Sequence, residues 1–399
     1  MQAINQQYIK YNNLKRIYTL VDRQAANSRA QIANVTKLSK TTVSSLVEEL
    51  IAEGYIVETG TDVSAGLGRK PNLLELDNSR NFVAVVAWHR QRLVAALMNS
   101  SAQTVVSVEQ DMAEEEDYVA QSVALLEREL FPAAAKGRIL GVCIVVPSMV
   151  DDKNEQIIST VLQLGEKDNV VHRLRKALLG YPLAILNDTA CYAYAEYCTS
   201  DIQEDEFVFV NIGKGVGAVL LSKGIMMRGA NGMTTQFGHF SIDRNGPRCD
   251  CGSRGCMERM VGERVLPELV ESFSLQGALP AGRKIQFRDV GALVAQKNLA
   301  ALALVEHLAE DLAYGLSNLV SLIHPQLIVI GGFGMNLGEY YLHCIQKKLE
   351  GMGFSQFMKS VHVRFACVDE LAELQGAARY YLDQHFTFDG SMANRLILY

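Results

Sequence analysis

Four candidate metal ligands crowd into one short stretch of the chain. His239 is followed by Cys249, Cys251 and Cys256 in the pattern His-x9-Cys-x-Cys-x4-Cys. One imidazole and three thiolates make a closed tetrahedral set, so the spacing points to a structural zinc ion with no coordination position left for catalysis. Gly252 and Gly255 let the loop double back so that three sulfurs converge. Eight cysteines in 399 residues are too few for a disulfide framework. The other five, Cys143, Cys191, Cys198, Cys344 and Cys367, lie in apolar contexts and are expected in the core.

A chain of 399 residues with 49% hydrophobic and 21% charged residues is neither disordered nor fibrous, and it exceeds one comfortable core. No run approaches the roughly 18 apolar residues of a membrane span. The opening MQAINQQYIKYNNLKR lacks an apolar leader core, so the expectation is a cytoplasmic protein. The net charge of −6 is uneven: residues 1–80 hold ten Lys/Arg against eight Asp/Glu, and the remainder is acidic. A mildly basic head on an acidic body fits a small nucleic-acid module joined to a larger domain.

Periodicity divides the chain in the same place. Apolar residues at helical spacing predict helices over 8–20, from Ser28, and from Ser39 to a stop at Gly54. Ser28 with Gln31 reads as a capping box, with Ile32, Val35 and Leu38 as the buried face and turn. Strands near 55–58 and 73–76 flank a glycine-rich loop. Three helices and a hairpin make a winged helix-turn-helix. Beyond it, strands at 82–87, 93–98 and 104–108, then helices alternating with apolar strands, suggest two α/β lobes. The division expected is 1–78 for the head, 79–200 for a first lobe and 201–399 for a second lobe holding the zinc loop, with the C-terminal helix able to return to the first.

In a helix-turn-helix the second helix reads the major groove with its N-terminal residues. Here these are Ser39, Lys40, Thr41 and Thr42, with Ser44 and Ser45 one turn on; all are small or basic groups that suit base edges and phosphates. Glu48, Glu49 and Glu53 would repel phosphates, so only the N-terminal half should enter the groove. The wing offers Arg69 and Lys70 between glycines and Pro71, suited to phosphates or a narrow minor groove. Asn187-Asp188, at the end of a strand and the start of a helix, reads equally as a ligand-binding pair or a helix cap. The stretch Asn211-Ile212-Gly213-Lys214-Gly215-Val216-Gly217 is a glycine hairpin that can approach phosphate.

Together, the glycine hairpin, Gly238-His239, the Cys-x-Cys-Gly-x-x-Gly-Cys loop and Glu258 resemble the signature of the ROK family of repressors, open reading frames and sugar kinases. The resemblance spans essentially the whole chain, and the head matches the repressor branch. It implies an actin-like, hexokinase-type (ribonuclease H-like) body with a sugar cleft between two lobes. It also implies that Asn187, Asp188, Gln236, His239 and Glu258 line the cleft, and that His239, Cys249, Cys251 and Cys256 hold zinc.

The departures from the family pattern bear on activity. Its kinases open the body with an Asp-x-Gly-Gly-Thr phosphate loop, where this chain has Val85-Val86-Ala87-Trp88-His89-Arg90. With neither the glycines nor the aspartate, phosphoryl transfer should be lost, leaving no catalytic residue and Asp188 as a binding group. Thr234-Thr235-Gln236-Phe237 replaces the family's Ala-Gly-Glu-x before Gly238-His239; Thr160-Val161-Leu162 replaces its Pro-Asn; and Ser148 replaces the glycine after Pro147. The reading is therefore a DNA-binding repressor of sugar-related genes, not an enzyme. Its partners would be double-stranded operator DNA, a sugar or sugar derivative, and a second copy of itself in a dimer or tetramer. Two rivals stand beside it: a sugar kinase that kept its head, and a repressor controlled by a protein partner.

Overall fold

The computed structural model describes residues 6–61, 72–151, 153–159, 161–162, 164, 169–200, 202–232, 236–280, 282–369, 371–385 and 396–398. The wing residues Arg69 and Lys70, together with Thr160, Thr234 and Thr235, lie outside the described residues.

The head comprises α1 (Gln6–Asp22), α2 (Arg29–Thr36), α3 (Lys40–Ala52), β1 (Ile56–Thr61) and β2 (Asn72–Leu76). Leu14, Ile17, Ile32, Val43, Val47, Leu50 and Leu74 fill its centre. Each contributes about 1.5–3 kcal/mol by leaving water. Ser28 caps α2 by accepting from the Gln31 N–H at 3.4 Å. The return half of the box reaches one residue further back than expected, because Gln31 Oε1 accepts from the Asn27 N–H. Val35 is also corrected: it is exposed, and Thr36 takes the inward position. The Thr36 hydroxyl is satisfied there by the Ile32 carbonyl at 2.7 Å.

The body is built on two large sheets of one plan, with β7 and β8 forming a small antiparallel pair beside them. The first lobe runs β3 (Asn81–His89), β4 (Arg92–Asn99), β5 (Thr104–Asp111), α4 (Tyr118–Leu125), a wide helical turn to α5 (Phe131–Ala133), β6 (Arg138–Val146), β7 (Met149–Asp151), β8 (Gln156–Ile158), α6 (Val170–Ala177), β9 (Leu183–Asn187) and α7 (Asp188–Thr199). Its sheet order is β15-β9-β6-β3-β4-β5, where β15 is Leu396–Leu398 from the C-terminus. Strands β3, β4 and β5 form an antiparallel meander, and β6, β9 and β15 add to it in parallel. Strand β3 is central and covered on both faces, which is why it reads as a continuous apolar run.

The second lobe runs β10 (Glu206–Ile212), β11 (Val216–Ser222), β12 (Ile225–Met226), α8 (Met257–Val261), α9 (Leu266–Ser272), α10 (Phe287–Ala295), α11 (Leu299–Ile323), β13 (Leu327–Gly331), α12 (Glu339–Glu350), α13 (Ser355–Lys359) and β14 (His362–Phe365). The order β12-β11-β10-β13-β14 again joins an antiparallel meander to two parallel strands. The sheet plan is thus repeated, although the sequence shows no repeat. After β14 the chain returns to the first lobe as α14 (Ala372–His385), which packs on α7 and on β3. Of the cysteines expected in the core, Cys143, Cys191 and Cys344 are buried, but Cys198 and Cys367 are exposed. Among the described residues no helix is long and apolar enough to cross a membrane.

Candidate functional site

The cleft lies where the two sheets present the C-terminal ends of β9 and β10, the position where α/β sheets bind ligands. Its volume is about 990 Å³, and its lining includes His89, Asn187, Asp188, Lys214, Gln236, His239, Glu258 and Glu373. Of the two readings its sequence context allowed, Asn187 makes the helix cap, and it also lines the cleft. Its Oδ1 caps α7 by accepting from the Ala190 N–H at 3.0 Å, and its Nδ2 donates to the Ser148 carbonyl at 3.1 Å while the side chain lines the cleft. This cap fixes the next residue, Asp188, at the head of α7, facing the cavity.

Burial is the main reason the Asp188 carboxyl is pushed up to about 7, and the neighbouring Glu373 adds to the shift. Opposing it, Asp188 accepts from its neighbour's Thr189 N–H at 2.6 Å, and His89 lies nearby. Burial alone would lower the His89 imidazole, but contact with Glu373 carries it above its ordinary value. His89 Nε2 comes within 2.9 Å of Oε1 of Glu373, whose side chain is only 2% exposed. Sequence reasoning missed Glu373 as a cleft residue, because only the return of α14 brings it there.

The turn at the end of β3 is closed by side chains. Its first residue, His89, gives its carbonyl to the Tyr118 hydroxyl at 2.8 Å, and the Gln91 N–H donates to that same hydroxyl at 3.1 Å. Trp88 is buried, with Nε1 donating to Ser122 Oγ at 2.8 Å.

Across the cleft, Glu258 sits in the first turn of the second-lobe helix that follows the cysteine loop, with Arg264 Nη1 3.8 Å from its carboxylate. The loop itself is held by Ile242 N–H to Gly255 O and Gly255 N–H to Pro247 O, both at 2.9 Å. Gly255 has φ +59°, and a Cβ there would stand 1.9 Å from the Asp243 carbonyl oxygen, so only glycine closes the loop. The ligand atoms of His239, Cys249, Cys251 and Cys256 all lie within 4.8 Å of one another. Cys249 Sγ is 3.6 Å from His239 Nδ1, and Cys251 Sγ is 3.7 Å from Cys256 Sγ. A tetrahedral ion with metal–sulfur and metal–nitrogen bonds of about 2.3 and 2.0 Å would set sulfur–sulfur and sulfur–nitrogen edges of about 3.8 and 3.5 Å. The cluster therefore suits a metal ion, and His239 touches both the cluster and the cleft.

On the head, Ser39 caps α3: its Oγ accepts from the Thr42 N–H at 3.1 Å and lies 2.7 Å from the Thr42 hydroxyl. Lys40, Thr41, Thr42 and Ser45 are exposed and Ser44 is half-buried. Arg29 carries a role the sequence did not reveal. It pairs with Glu48 at 3.1 Å and with Glu58 at 3.0 Å, tying α2 to α3 and β1.

The family model for ROK proteins matches residues 89–384, and a winged helix-turn-helix DNA-binding model matches residues 12–57. The chain belongs to the ROK family. A putative xylose repressor of Caldicellulosiruptor sp. strain Rt8B.4 is 27% identical over 391 residues, covering 94% of this chain and 96% of that protein. The crystal structure of a ROK-family transcriptional regulator, a homolog of the E. coli MLC protein, superposes with a TM-score of 0.79 at 23% identity, over 94% of this chain and 96% of that one. The ROK hexokinase of Thermus thermophilus reaches 0.61 at 22% identity, covering 96% of its own length but 74% of this chain. These structural likenesses speak for the fold. Head and body together give the chain the architecture of a DNA-binding transcriptional regulator of this family.

Proposed function

We propose that this ROK protein is a sugar-responsive repressor that reads operator DNA with the N-terminal half of α3 and has no kinase activity. The observation that carries the second point is the β3–β4 turn. The phosphate loop of the family's kinases would fall there, and here the Gln91 N–H already donates to Tyr118 while His89 meets Glu373. One backbone donor of that turn is thus already engaged, which counts against a phosphate cradle there. A coupled ADP-release assay across common hexoses and N-acetylhexosamines should read no turnover. Turnover abolished by Asp188→Asn would restore the kinase reading.

Asn187, Asp188, Gln236, His239 and Glu258 are the residues we assign to a neutral sugar, with Glu373 behind them. Carboxylates accept several hydroxyls at once, which suits a polyol. Glu258→Gln should weaken binding of the responsive sugar about 10- to 100-fold by calorimetry, since a buried acceptor of ionised character is exchanged for a neutral amide. Asp188 should make binding pH-dependent. Below about 7 its carboxyl holds a proton and loses acceptor capacity, so affinity should rise between about pH 6 and 8. A flat profile would remove Asp188 from the contact set.

For the head, Ser39, Lys40, Thr41, Thr42, Ser44 and Ser45 are assigned to the groove, and Arg69 and Lys70 to phosphates. Losing Arg69 and Lys70 together should weaken all duplexes alike and flatten the salt dependence, whereas Thr41→Ala should alter preference among sequences. Gel shifts at several salt concentrations separate the two. We assign the metal cluster to one structural zinc ion. The domains follow the division at 78 and 200, with α14 and β15 belonging to the first lobe. A dimer or tetramer would set two heads on a palindromic operator.

A further inference from the structure

Two helices run side by side from the cleft toward the head. Helix α7 begins at Asp188 and α14 places Glu373 in its first turn, so both N-terminal ends stand in the cleft. They approach backbone to backbone: a Cβ on Gly376 would lie 1.9 Å from the Cys191 carbonyl oxygen. Nothing but glycine fits between them, and a pair this close moves together. Tyr194 of α7 and Tyr380 of α14 then meet edge to face at 5.3 Å.

Beyond that contact the pair grips the head. Arg379 Nη1 donates to Asp22 Oδ1 at 3.0 Å, and Nη2 meets the other Asp22 oxygen, a two-pronged grip on the last residue of α1. Asp22 and Arg379 are 4% and 15% exposed at their side chains. Arg379 Nε also lies 3.4 Å from Asp383, which accepts from the Tyr194 hydroxyl at 2.9 Å. Six helical steps, about 9 Å, take α14 from Glu373 to Arg379.

We propose that Arg379 is a positioning residue for the DNA-binding head, through which α14 passes the state of the cleft, sensed at Glu373, to α1. The inference rests on the cleft being an effector site. A ligand that competes with His89 for Glu373, or changes the crowding at Asp188, reseats the N-terminal end of α14. Because Gly376 locks α14 to α7, the displacement is carried along both helices and reaches Asp22 as a shift of α1.

The test needs no identified ligand, because Glu373→Gln perturbs the cleft end directly. Hydrogen exchange is followed at the α1 amides of Leu14–Val21 in the full-length protein. Glu373→Gln should change their exchange by about fivefold or more, the low end of ordinary coupling between sites. In an Arg379→Lys background, which keeps the charge but loses the fork, that change should vanish. Asp22→Asn breaks the same joint from the head side and should give the same result. An equal change in all backgrounds, or none in the otherwise native protein, overturns the proposal. Calorimetric titration with xylose and with N-acetylglucosamine tests the cleft separately. The absence of heat with both would count against the sugar reading and leave the exchange result standing by itself.

Discussion

Replacing Cys256 with alanine is expected to lower the thermal midpoint of the second lobe by about 10–20 °C. Cys256 is fully buried, and it joins the loop to α8, where Met257 is also buried. Its sulfur accompanies those of Cys249 and Cys251 around a point shared with His239. Otherwise the loop is held by short bridges, backbone bonds and a few mostly exposed side-chain bonds such as Ser241 to the Arg254 carbonyl and Arg264 to Asp250. Structural zinc supplies about 10–16 kcal/mol in isolated peptides. If only about 5 kcal/mol reaches the lobe, the shift follows at about 2–4 °C per kcal/mol for a unit of this size. Because Glu258 follows the loop directly, loss of the metal should also weaken sugar binding. Cys367→Ser, an exposed thiol away from the cluster, should shift the midpoint by less than about 2 °C. Elemental analysis should find one zinc per chain in the native protein and none in the variant. A native protein without bound metal, or a midpoint indifferent to chelator, would refute the assignment.

The convergence of His239, Cys249, Cys251 and Cys256 was legible in sequence because they are close neighbours along the chain, and the turns between them need glycines. The head was legible for a similar reason: caps at Ser28 and Ser39 and an apolar period of 3.6 act over single turns. What was hidden depends on contacts distant in sequence. Nothing around Glu373 marks it as a neighbour of Asp188, and nothing around Asp22 marks it as the partner of Arg379. Nothing around Arg29 marks it as the partner of Glu48 and Glu58, which α3 and β1 bring to it. Val35 and Thr36 exchanged their expected places because a threonine hydroxyl can be buried once it bonds the carbonyl four residues back. The repeated sheet plan left no trace in sequence because strand order is set by crossovers, and many apolar sequences satisfy one pleat. Asn187 shows a limit of a different kind. Cap and ligand contact were weighed as alternatives, yet the side chain that makes the cap also lines the cleft, and the capping fixes where the next residue, Asp188, begins α7.

Glu196→Ala is expected to loosen the joint between the lobes, seen as exchange of the Cys367 and Val368 amides accelerating about 10- to 100-fold. Glu196 has no exposed side-chain surface, yet it is an acid on α7. Its Oε1 accepts from Arg364 Nη1 at 2.7 Å and from Ser200 Oγ at 3.0 Å. Its Oε2 accepts from the N–H groups of Cys367 at 2.9 Å and Val368 at 3.2 Å. Those partners lie where the chain leaves α7 for the second sheet and where it leaves β14 to return as α14. One buried carboxylate therefore pins both crossings between the lobes. Removing it leaves two backbone donors without an acceptor, at about 1–3 kcal/mol each, which sets the predicted acceleration. Glu196→Gln keeps one acceptor oxygen and should fall between the native protein and the alanine variant. Acceleration below about twofold would mean that the crossings are held by packing alone. The same joint bears on the proposed response: any movement of one lobe against the other would turn about these two crossings, so a loosened joint should blunt the response of the head to the cleft while leaving the residues of α3 untouched.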